Sequence, residues 1–125
     1  MKMLIYWLFI IGSASGCQSG QEEQEVTQQD LETQLSAIHS FIDAGSCTED
    51  SRCSYIAYGS KSCGEPQGYL VFSTNIEVKT LKAMVQKYTE DEKAYNEQHK
   101  IISDCSVPVP PKTVVCKNGN CVRIR

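Results

Sequence analysis

The stretch EVKTLKAMVQKYTEDEKAYNEQ, Glu77 to Gln98, reads as the longest helix of the chain. Leu81, Val85, Tyr88 and Tyr95 share one face of it, since residues three, four or seven apart lie on the same side of a helix. Glu92 falls on that face between the two tyrosines, either as a functional carboxylate or as the acceptor of a tyrosine hydroxyl. Asn75 is the expected cap. Lys87 with Asp91, and Lys93 with Glu97, add i,i+4 support.

Both flanks of this helix are β in character. Upstream, CSYIAY (Cys53 to Tyr58) and YLVF (Tyr69 to Phe72) are rich in aromatic and β-branched residues, as strands are. Between them GSKSCGEPQG, Gly59 to Gly68, carries three glycines and a proline and reads as an irregular loop. Downstream, Ile101-Ile102 leads into Ser103 to Val109, expected as an edge strand or corner because Pro108, Pro110 and Pro111 cannot donate to a ladder. Thr113 to Cys116 and Cys121 to Ile124 flank Lys117-Asn118-Gly119-Asn120, and Asn-Gly is the strongest short hairpin signal. Cys116 then faces Cys121. They either bond each other across the strands or bond different partners, and six cysteines allow 15 pairings.

Further upstream, Leu31, Leu35, Ile38 and Ile42 form one helical stripe, with Thr27 and Asp30 as a start signal and Gly45 as a stop. His39 flanks that stripe. The order predicts an α+β fold: a small antiparallel sheet packed by one long helix, stabilised by disulfides, in a single domain over residues 28–125. About 100 residues support only a modest core, which disulfides would reinforce.

The chain opens with Lys2 and then MLIYWLFII, Met3 to Ile11, too short to cross a bilayer but suited to a secretory signal. GSASGCQSG follows, with Cys17 far from the other six cysteines. Ala14-Ser15-Gly16-Cys17 resembles the lipobox of bacterial lipoproteins. Ser15 and Gly16 match the pattern, and Ala14 stands where leucine is commoner. The resemblance implies cleavage after residue 16 and acylation of Cys17 with chains such as palmitate. It also implies a location on the extracytoplasmic side of the cell membrane or outer membrane, with the membrane as a partner through the lipid anchor. Setting Cys17 aside leaves an even set, Cys47, Cys53, Cys63, Cys105, Cys116 and Cys121, enough for three disulfides in an exported protein. Residues 17–27 then form the lipidated terminus and a Gln- and Glu-rich tether of the kind that buries too little to order itself.

Charge is uneven. Gln18 to Ser51 holds eight acidic residues and no Lys or Arg, whereas Arg52 to Arg125 holds eleven basic and seven acidic ones. The net negative mature chain argues against nucleic-acid binding. The string RCSYIAYGSKSCGEPQGYLVFST, with SDCSVP and CKNGNCV, is similar to a group of small exported Cys-rich bacterial proteins of uncharacterised role. That similarity adds no activity.

No catalytic constellation stands out. The cysteine spacings and the isolated His39 and His99 do not make a zinc signature, and no cofactor is expected. GSKSCG places glycine and lysine in the wrong order for a phosphate loop. Asp104-Cys105 is a poor nucleophile, because a neighbouring carboxylate raises a thiol pKa. The expectation is a non-enzymatic module that binds a protein or ligand of the cell envelope, with an unknown envelope or extracellular protein as partner. Lys61, Glu65, Gln67 and Tyr69 are its expected exposed contacts, on a loop whose shape a disulfide would hold. The alternative is a protease inhibitor that offers Arg52 or Lys61 beside a cysteine to a trypsin-like pocket.

Overall fold

A computed structural model describes residues 24–124, together with Gly12 and Gly16. The apolar signal run and Cys17 lie outside the described residues. The fold is α+β. Its order is α1 (Gln28–Asp43), a 3-10 turn (Asp50–Arg52), β1 (Cys53–Tyr58), β2 (Gly68–Ser73), α2 (Val78–Gln98), β3 (Thr113–Lys117) and β4 (Asn120–Ile124). Among the described residues, two antiparallel pairs, β1 with β2 and β3 with β4, take the place of one sheet.

Helix α1 starts where its capping signal predicts. The Asp30 amide donates to Thr27 Oγ1, and the Thr27 amide donates back to the Asp30 carboxylate. The Thr27 amide, then the Thr27 hydroxyl, hold the Asp30 carboxyl below its ordinary pKa. The stop at Gly45 has a different cause from the expected left-handed backbone, which Gly45 does not adopt. A Cβ there would collide with Ile76 Cγ2, so the residue is small because the segment after α1 meets the segment after β2 at it. Asn75 does not cap α2. Its Nδ2 donates to the Ser46 carbonyl at 2.8 Å, and Glu77 occupies the cap position without a side-chain bond.

The core forms where the two helical stripes meet the inner face of β2. Leu31, Ile38, Leu70, Phe72, Leu81, Val85 and Tyr88 are buried, and Leu35, Ile42 and Tyr95 pack around them. Leu70 and Phe72 alternate with half-buried Tyr69 and Val71, as the two-residue period of a strand requires. On the outer face Tyr69 meets the exposed Tyr55 edge-on at 5.7 Å.

The second hairpin turns at Asn118 and Gly119, both with positive φ as a type I′ turn demands. Cys116 is opposite Cys121 in the register, yet the two do not bond each other. Cys116 joins Cys47 after α1, and Cys121 joins Cys53 at the start of β1. The hairpin is therefore stapled twice to the first half of the chain. The Cys116 amide also donates to Asp50 Oδ1, and the Cys47 amide to the Gly119 carbonyl. The expected strand before this hairpin is absent: Ile101 to Pro111 forms no helix or strand. Its three prolines remove the donors a ladder needs.

Candidate functional site

The loop after β1 is latched onto α2 by three side chains spaced along one helix face. The Gly59 amide donates to Thr89 Oγ1 at 3.0 Å and the Ser60 amide to Glu92 Oε1 at 2.6 Å; Asn96 Nδ2 donates to the Ser60 carbonyl at 2.7 Å. The Tyr88 hydroxyl donates to the other Glu92 oxygen at 3.0 Å. Glu92 thus serves as a buried double acceptor. Burial, then the Glu92 charge, pushes the Tyr88 pKa up. Gly59 has φ +79°, and a Cβ would fall 2.8 Å from Glu92 Oε1, so only glycine brings the backbone this close.

Beyond the latch the loop carries Lys61, which reaches across to the segment Ser103 to Val109. Lys61 Nζ lies 3.1 Å from Asp104 Oδ1, 3.0 Å from the Ser106 carbonyl and 3.1 Å from Ser106 Oγ. The Ser62 amide donates to Ser103 Oγ at 3.1 Å, and a disulfide joins Cys63 to Cys105. At the far end Arg123 donates to the Val109 carbonyl. The segment is a braced strap. Val107 and Val109 each precede a proline, which biases both to extended backbone. Two residues apart, they are 64% and 68% exposed, while Pro108 between them is half-buried.

Asp104 is the electrostatic centre of the brace. The Ser106 hydroxyl, then Lys61, then the Ser106 amide hold its carboxyl down at about 2. The Lys61–Ser106 contact has the outline of a serine–lysine pair. However, the Ser106 hydroxyl donates to Asp104 Oδ1 rather than to the amine, and Lys61 Nζ is engaged by three oxygens, so the hydroxyl is not set to pass its proton to the lysine. The arrangement fits bracing rather than nucleophilic chemistry.

The expected contact residues separate. Lys61 is half-buried and occupied within the brace rather than free for a partner. Glu65 is half-buried, and its carbonyl closes the loop by accepting from the Lys61 amide. Gln67 is exposed, and Tyr69 lies on the outer sheet face with Tyr55. Arg52 ends the 3-10 turn beside Glu49, with its carbonyl accepting from Thr74. Neither basic residue stands on a free extended loop. The sulfurs of Cys47, Cys53 and Cys121 lie within 4.8 Å of one another, and all are taken up in disulfides. Sequence inspection missed Val107, Val109 and the Asp104–Ser106 brace. The signal was present in the Pro-rich run after Cys105. No protein-family model, curated protein or solved structure matches the chain.

Proposed function

We propose that the protein is a non-enzymatic binding module of the cell envelope, anchored by lipid at Cys17, with the strap Ser103 to Val109 as its contact surface for another protein. The observation that carries this reading is a pair of exposed valines on a segment held by a disulfide, an ion pair and a side-chain clamp. A surface already fixed in shape loses little entropy when a partner docks. Apolar side chains in an extended run suit a groove that takes alternate side chains into pockets. The loop Gly59 to Gly68 supports this surface, and its own role is bracing. Three disulfides agree with an oxidising location. Among the described residues no helix is long and apolar enough to cross a membrane, so membrane attachment rests on the Cys17 motif.

The test places a photoreactive amino acid at Val107, and separately at Thr48, in cells producing the anchored protein. A discrete adduct from position 107, absent from position 48 and lost in Lys61→Ala, supports the strap as the contact. Equal labelling from both positions, or a 107 adduct indifferent to Lys61→Ala, refutes it.

A further inference from the structure

The chain enters the described domain at the C-terminal end of α2. The Val26 amide donates to Gln98 Oε1 at 2.9 Å, His99 Nε2 lies 3.3 Å from the Val26 carbonyl, and Glu25 is 3.6 Å from the same imidazole. Seven residues lead from Cys17 to Gln24, a reach of at most about 25 Å when fully extended. At this same end α2 closes with the Ile101 amide donating to the Asn96 carbonyl and Lys100 in the left-handed region at φ 51°. That is a Schellman stop. It fixes the direction in which the next residues leave. Ile102 then stands 94% exposed and Ile101 38%. Lys93 and Lys100 line one open cavity with Ile101.

We propose that the turn His99 to Ile102 is a membrane-contacting tip, in which Ile101 and Ile102 enter the interfacial region of the bilayer that holds the lipid anchor. This rests on acylation of Cys17. The short lead brings this end of the domain within reach of the bilayer. Apolar side chains with lysines beside them suit that interface, with the isoleucines in the acyl boundary and the ammonium groups among the headgroups. Glu22, Glu23 and Glu25 oppose attraction to anionic lipid, so the contact is apolar in origin and insensitive to salt. The opposite end, where Gly45 meets Ile76 and Cys47 meets Gly119, then points away from the membrane.

The only tryptophan, Trp7, lies in the segment removed with the signal, so an introduced tryptophan reports alone. The acylated mature protein carrying Ile102→Trp is reconstituted into vesicles of phosphatidylethanolamine and phosphatidylglycerol, with or without brominated acyl chains. Thr48→Trp, at the other end, is the comparison. The indole at position 102 should emit blue-shifted light and lose about twofold of its intensity to the bromines, as an insertion of about 5–10 Å allows. Raising salt should change neither value, and the indole at position 48 should stay unquenched. Protein that sediments with the vesicles while the fluorescence of Ile102→Trp remains water-like and unquenched overturns the tip. Protein with Cys17 intact that stays in the supernatant overturns the anchor, and the tip with it; sedimentation separates the two failures.

Discussion

The two staples of the second hairpin should not contribute independently. Cys47–Cys116 and Cys53–Cys121 each span almost the same long stretch, with sequence separations of 69 and 68. Once one is closed, the other shuts only the short circuit formed by Cys47 to Cys53 and Cys116 to Cys121, about 11 residues in the chain-entropy relation. Because Cys63–Cys105 stays closed throughout, the long circuit runs through that disulfide and holds only about 26 residues, so the relation assigns about 2.8 kcal/mol to closing the short circuit and about 3.5 kcal/mol to closing the long one at 25 °C. Removing either disulfide alone should therefore cost about 2.8 kcal/mol, and removing both about 6.3 kcal/mol, more than the two single losses together. Cys→Ala pairs are the suitable change, since Cys47 is buried and a serine there would bury a hydroxyl. Urea unfolding followed by circular dichroism, with the three variants compared to the parent, gives the four free energies. A double loss no larger than the two single losses together would refute the shared-circuit argument. So would a single removal costing as much as the long loop.

Three further outcomes follow from the packing and the brace. Leu81 is fully buried between the helices and β2, so Leu81→Ala should lower unfolding free energy by about 2–5 kcal/mol, read from the denaturant midpoint. Glu92→Leu removes the acceptor of a buried amide at Ser60 and should cost about 1–3 kcal/mol, with faster amide exchange at Ser60 than in Glu92→Gln. The Asp104 carboxyl is held at about 2, below its ordinary 3.8, so its bracing is fully present above about pH 4 and is lost as pH falls through about 2. NMR of the Ser106 amide should show the strap loosening across that window in the parent, and no such pH step in Asp104→Asn.

The amphipathic stripes of both helices, the capping box at Thr27 and the Asn118-Gly119 turn were legible because each is a local device. Its period or backbone demand is written in neighbouring residues. The even set of six cysteines likewise announced three disulfides, but could not say which pairs form. Pairing depends on which sulfurs the fold brings together, and it brought Cys116 and Cys121 to separate partners although they sit opposite each other. The same limit hid the strap. Ser103 to Val109 reads as a strand or corner until Lys61 and Cys63, some 40 positions earlier, are seen to hold it. Glu92 shows the boundary within one residue. The helical period placed its carboxylate on the core face with Tyr88, while the amide of Ser60 that justifies burying it comes from a loop that only tertiary packing brings near. Sequence by itself determined the elements, because local sterics and hydrophobic periodicity act over a few residues. The tertiary structure decided the braces and what they leave exposed, because those contacts join residues that the chain keeps far apart.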